Sequence, residues 1–171
     1  HYYQAALQLA REVGDIRSVA GTLNNLGELH TVTGEIEDAS RSFMEAIDLF
    51  EQFGDLVHIA AAYNNLGLLV GYRGEPDAAL EWFDKALRLQ RQSGLDTAVT
   101  LNNIGTVYEQ TGAYGQALTY FEAALQLNRM HNRETHVATN LVNLGNVYQS
   151  LEEQTQALAY YEEAQENAAH L

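Results

Sequence analysis

The sequence predicts an all-α protein built from repeated helix pairs, about nine helices in all. Three observations lead there. The string Asn64-Asn65-Leu66-Gly67 returns as Asn24-Asn25-Leu26-Gly27, as Asn102-Asn103-Ile104-Gly105 and, weakened, as Val142-Asn143-Leu144-Gly145, with the glycines 40, 38 and 40 residues apart. A fixed period of that length marks a stacked array. After each string, apolar residues recur at three- and four-residue steps, as in Ala79, Phe83, Ala86 and Leu89, the spacing of one packed helix face. Proline occurs once, at Pro76, in a chain rich in Ala, Leu, Gln and Glu, residues that fit a helix well.

In chain order, residues 1–13 read as one amphipathic helix with Tyr3, Ala6, Leu7 and Leu9 as its apolar positions. Gly14-Asp15 supplies a C-terminal glycine and an N-capping Asp for the next helix, 16–33. Gly34 ends that helix, and 36–52 follows with Ala39, Phe43, Ala46 and Leu49. Gly54-Asp55 repeats the junction. The second pair covers 56–73 and 76–92, where Pro76 suits a first turn because its missing N–H has no partner there anyway. Gly94 closes that pair, and Asp96 is the expected cap of the third Asn-Asn helix. Two residues are missing at this point, so that helix is expected to start half a turn late. Gly112 separates it from a helix carrying Ala117, Phe121, Ala124 and Leu127. Asn132 and Glu152 then stand where the other junctions have glycine. The last helix keeps Ala157, Tyr161 and Ala164.

Each Asn-Asn-Leu-Gly helix has two faces at about 3.6 residues per turn. In the first copy Leu23, Leu26, Leu29 and His30 form the packing face, with Gly27 at its edge admitting a close neighbour at roughly 1 kcal/mol of helix propensity. Gly21, Asn24, Asn25, Glu28 and Val32 form the other. That second face is where function is expected, because its polarity recurs. Asn25, Asn65, Asn103 and Asn143 make one row, and Asn24, Asn64 and Asn102 a second that Val142 breaks. Further along lie Glu28, Leu68, Thr106 and Asn146, then Val32, Tyr72, Gln110 and Ser150. Leu68 and Tyr72 make the second copy the most apolar. An amide offers two donors and an acceptor, so it pairs with a peptide backbone of any sequence. The same amides have a second reading, as bonds between neighbouring helices that hold the stack in register.

Composition narrows the function classes. A formal net charge of −14 over 171 residues argues against nucleic acid and against an anionic membrane surface. Cysteine is absent, which removes disulfides and thiolate metal sites and leaves the redox compartment open. No apolar run approaches the roughly 20 residues of a membrane span and no leader pattern is present, so a cytoplasmic location is expected. The chain opens with His1-Tyr2-Tyr3 instead of Met, which suggests a piece of something longer. The six His residues are scattered, and His30 shares its repeat position with Tyr108 and Tyr148, so packing accounts for it better than metal binding. No cofactor is expected. Neither a phosphate loop nor a nucleophile–base arrangement is discernible, and an enzyme is not expected.

The Leu-Gly pairs, the turn Gly74 and the series Ala79, Phe83, Ala86 resemble the tetratricopeptide repeat over essentially the full chain. The period of about 40 residues and the Asn-Asn-Leu-Gly string are similar to its long-repeat branch, which includes kinesin light chains, Leu-Gly-Asn-rich spindle-orientation adaptors and sensor arrays of bacterial signalling ATPases and transcription activators. The resemblance implies a right-handed superhelical solenoid of antiparallel helix pairs. Residues 1–14 would be the second helix of a truncated repeat, and 15–54, 55–93, 94–131 and 132–171 four repeats of a single array. First helices would line a concave groove, placing Asn24, Asn25, Glu28, Asn64, Asn65, Leu68, Tyr72, Asn102, Asn103, Thr106, Asn143 and Asn146 on a peptide-binding wall. In the spindle-orientation relatives, such asparagines contact an extended peptide.

The expected function is a noncatalytic protein–protein interaction module that holds a peptide. Alternatives are a sensor or scaffold segment of a bacterial signalling ATPase or transcription regulator, and a structural spacer. The expected partner is a protein or peptide of neutral to basic character, because the groove positions include Glu28 and Glu109 and no Lys or Arg. This departs from the family's cochaperones, which grip acidic C-termini with groove cations. The single Lys, Lys85, lies on a second helix.

Overall fold

A computed structural model describes residues 2–169, with Ala169 by its backbone alone. Nine α-helices and no strand occur among the described residues: α1 Tyr2–Glu12, α2 Ile16–Thr33, α3 Ile36–Gln52, α4 Leu56–Tyr72, α5 Pro76–Gln92, α6 Ala98–Gln110, α7 Tyr114–Met130, α8 Glu134–Ser150 and α9 Gln154–Ala169. The sequence boundaries hold to within a residue or two. Contacts divide the chain into a unit ending at Leu95 and a second beginning at Asp96. In the first unit α2 packs on α3 and α4 on α5, α3 meets α4, and α1 lies on α2. In the second α6 packs on α7 and α8 on α9, with α7 against α8.

The junctions follow from side-chain and backbone chemistry. Asp15 Oδ1 accepts from the Ser18 N–H at 3.1 Å and Asp55 Oδ1 from the His58 N–H at 3.2 Å, satisfying donors that a helix start leaves unpaired. Asp96 Oδ1 accepts from the Ala98 N–H at 2.8 Å. The N-cap of α6 is Thr97, one residue after the expected Asp96. Helix α6 has 13 residues where α4 has 17, so its start is shortened by about a full turn and not by the half turn that the two missing residues predict. Asn132 and Glu152 adopt φ of 53° and 62°, the left-handed conformation of the junction glycines they replace.

Packing explains the Leu-Gly motif. A Cβ on Gly27, Gly67, Gly105 or Gly145 would lie 2.5–2.7 Å from a ring carbon of Phe43, Phe83, Phe121 or Tyr161 respectively. The ring of the second helix therefore rests on bare backbone of the first, and the three phenylalanines are essentially fully buried. Buried Ile47, Phe50, Leu87 and Leu125 complete the second-helix faces. Leu49, Leu89 and Leu127 are only half-buried. Leu29 departs from expectation, being 42% exposed while its counterparts Leu69, Val107 and Val147 are buried. Leu69 belongs to the core cluster of the first unit and Leu29 does not. On α1, Ala10 is buried and Leu7 half-buried, but Tyr3 and Leu9 are exposed.

Ion pairs tie alternate helices. Arg11 of α1 bonds Glu45 of α3 at 2.6 Å, and Arg129 of α7 bonds Glu163 of α9. Both join residues 34 positions apart in the chain.

Candidate peptide-binding face

In the first unit the polar face is carried by α2 and α4. Asn25 and Glu28 are exposed, Asn24 and Asn65 half-buried, and Asn64 buried. Glu28 is the centre of this group. Its Oε1 accepts from Asn24 Nδ2 at 3.0 Å and from Asn65 Nδ2, one helix pair on, at 3.2 Å. Leu68 is half-buried, while Tyr72 and Val32 project with 74% and 86% exposure. These two occupy the same repeat position, so the apolar rim is shared by α2 and α4.

In the second unit α6 and α8 carry the face. Asn102, Asn103, Thr106, Asn143 and Asn146 are all half-buried. Asn102 Oδ1 accepts from Asn143 Nδ2 at 2.9 Å and from Asn140 Nδ2 at 2.8 Å. Asn140 Oδ1 in turn accepts from Asn128 Nδ2 at 2.8 Å. An amide relay thus runs from Asn128 on α7, through Asn140 on α8, to Asn102 on α6 and back to Asn143. Asn140 and Asn128 are 1% and 2% exposed. Buried amides linked this way restrict how their neighbours can rotate. Thr106 Oγ1 donates to the Asn102 carbonyl at 3.1 Å, and the Tyr161 hydroxyl lies 2.8 Å from Asn146 Oδ1.

Sequence reasoning named Asn102 and Asn143 but missed Asn128 and Asn140, on which they depend. The signal was weak: Asn140 stands where earlier copies have Thr22, Ala62 and Thr100, and Asn128 where they have Phe50 and Gln90, so neither slot is uniformly apolar.

The face is acidic. Glu109, at the end of α6, has its carboxyl raised above the ordinary value by burial. Among the described residues no group of His, Asp and Glu converges as a metal site would require, and His30 Nε2 faces Glu35 at 3.5 Å. No described helix is long and apolar enough to cross a membrane.

The tetratricopeptide repeat profile matches residues 18–92 and 96–169. The chain belongs to the tetratricopeptide repeat family. The two matched stretches each span two of the helix pairs that carry this face. Membership makes the chain a protein–protein interaction module, without singling out the kinesin-light-chain branch. Solved tetratricopeptide-like structures share the fold. BtubC (BKLC) from P. vanneervenii is 23% identical with a TM-score of 0.85, over 98% of this chain and 71% of its own. The apo form of RapI is 19% identical with a TM-score of 0.86, over 99% of this chain and 48% of its own. Aspartyl phosphate phosphatase F from Bacillus subtilis is 14% identical with a TM-score of 0.92, over 99% of this chain and 45% of its own. The chain thus spans about half the length of the last two. No curated protein sequence matches it.

Proposed function

We propose that the Asn-bearing face of the first helices binds an extended, neutral to basic peptide segment of a protein partner. One observation carries this reading: the amides of successive first helices stand within hydrogen-bond reach of one another, Asn65 of α4 sharing Glu28 with Asn24 of α2, and Asn143 of α8 bonding Asn102 of α6. Amides lined up across helices can meet successive peptide groups of one strand. Glu28 and the half-buried Glu109 favour a cationic or neutral ligand over an acidic one.

The roles divide among the asparagines. Asn102 takes two N–H bonds within the unit and Asn24 gives one, so register is a main part of their work. Exposed Asn25 is more available to a ligand, and Asn65 spends one of its two N–H groups on Glu28. The test is affinity capture of a natural ligand with the intact protein, repeated with Asn65 and Asn103 both replaced by Ala. The expected result is lost capture with a melting point close to wild type. A double variant that melts as early as Phe83→Ala would make the amides structural and remove the main support for this reading.

A further inference from the structure

The second-helix side of the first unit holds a cleft of about 390 Å³ between α3 and α5. Its floor is apolar, made by Leu56, Ile59, Tyr63 and Leu89. At its edge stand Glu51, Lys85 and Arg88. Glu51 and Lys85 are 34 residues apart, the separation at which Arg11 bonds Glu45 and Arg129 bonds Glu163. In those two places an ion pair joins alternate helices. Here, among the described residues, none does. Lys85 Nζ instead stands 3.8 Å from the ring centroid of Trp82 and 6.0 Å from that of Tyr63. Trp82 and Tyr63 stack with centroids 5.7 Å apart, so two rings hold the ammonium beside the cleft.

The α5 side of the cleft carries the cations, and the α3 side carries the carboxylates Glu51 and Asp48, both of which act on Tyr63. Lys85, Arg88 and Arg91 recur at three-residue steps on α5, three of only nine cations in a molecule of net charge −14. Arg88 is paired with Asp84 at 2.9 Å, while Lys85 and Arg91 make no ion pair among the described residues. A partly hydrated ammonium over an apolar hollow suits a ligand with an apolar side chain next to a carboxylate.

We propose that this cleft is a second docking site, separate from the Asn-bearing face, for an acidic amphipathic helix of a partner protein. An apolar side chain of that helix fills the hollow over Leu56, Ile59 and Leu89. Its carboxylates bond Lys85 and Arg88. The preferred charge is opposite to that expected at the Asn face, so the two sites can be tested independently.

Trp82 is the only tryptophan in the chain, and its emission reports on the ammonium above it. The experiment titrates the whole chain with a panel of synthetic amphipathic helical peptides lacking Trp, read by Trp82 emission and by calorimetry. Each carries Leu or Phe on one face and Glu on the other, and each has a counterpart with Gln for Glu. The Glu peptides are expected to change Trp82 emission and to bind about tenfold more tightly than their Gln counterparts. Replacing Lys85 and Arg88 together by Gln is expected to weaken them by a similar factor, while Lys85→Arg retains binding. The Asn65→Ala, Asn103→Ala double variant is expected to bind them as wild type does. Equal binding of Glu and Gln peptides, binding without a change at Trp82, or no binding by any member of the panel would overturn the proposal. The two Gln substitutions are at exposed side chains, and circular dichroism checks that the variant folds.

Discussion

Phe83 packs against Gly67, so close that a Cβ there would come within 2.6 Å of the ring. Ala is intrinsically better than Gly in a helix by roughly 1 kcal/mol, yet Gly67→Ala is expected to destabilise, because overpacking a tight core typically costs about 1–3 kcal/mol. Gly21, also inside a helix, has nothing within 4 Å of the place a Cβ would occupy. Gly21→Ala is expected to stabilise by about 0.5–1 kcal/mol. Opposite shifts in chemical denaturation midpoint check the pair, and a stabilising Gly67→Ala would show that the ring can move aside.

The junction residue Glu152 holds a left-handed backbone, with φ of 62°, where glycine serves elsewhere. A non-glycine residue loses roughly 1–2 kcal/mol in that conformation. Glu152→Gly recovers part of it, offset by the greater freedom of glycine in the unfolded chain. A net gain of about 0.5–1 kcal/mol is expected, read as a rise of about 1–4 °C in melting temperature.

Asn140→Ala removes the middle of the amide relay, leaving Asn128 Nδ2 and one lone pair of Asn102 without their present partners. A cost of about 1–3 kcal/mol is expected. Asn25→Ala, at an exposed position, is expected to stay within about 0.5 kcal/mol of wild type. Equilibrium unfolding of the two variants separates amides that build the fold from amides at its surface.

Burial pushes the Asp96 carboxyl up, but the Ala98 N–H and the Arg133 guanidinium outweigh it and hold it below 3.8. A depressed native value stabilises the fold above the unfolded value, and that contribution is lost as pH falls through the native one. Asp96→Asn is therefore expected to be less stable than wild type at neutral pH. The gap should close as pH drops below 3.8, measured by unfolding at a series of pH values. A gap that persists in acid would mean that the bond geometry matters and the charge does not.

Association of a basic peptide with the Asn face is expected to slow with added salt, as the screening length falls from about 30 Å at 0.01 M to about 8 Å at 0.15 M. Stopped-flow rates across that range provide the check. A rate that rises with salt would point to an acidic ligand.

The helices were legible in the sequence because the junction signals recurred with the period, and at Gly14-Asp15 and Gly54-Asp55 two signals coincided. Gly54-Asp55, for example, ends one helix by backbone conformation and starts the next by a side-chain bond. Asn132 could be placed by the same logic, since its position in the period outweighed its identity. Leu29 could not be placed, because periodicity treats every copy alike while burial depends on which neighbour is present. The face itself was legible as a row of amides. Which amides bond each other was not, because Asn128 and Asn140 come from different helices and their meeting depends on packing between pairs.

The charges on alternate helices have a polarity as well as a spacing. Arg11 and Arg129 put the cation on the earlier helix, and Glu51 with Lys85 puts the anion there. Genetic recombination that shuffles whole helix pairs would keep every Gly–aromatic contact, since each lies inside one pair. It would not keep the charges matched. An internal deletion that brought α9 in beside α3 would set Glu51 against Glu163, two anions where the chain now has none opposed. The copies are thus interchangeable in shape and distinguishable in charge, so their order along the gene is under a physical constraint that their common fold does not impose.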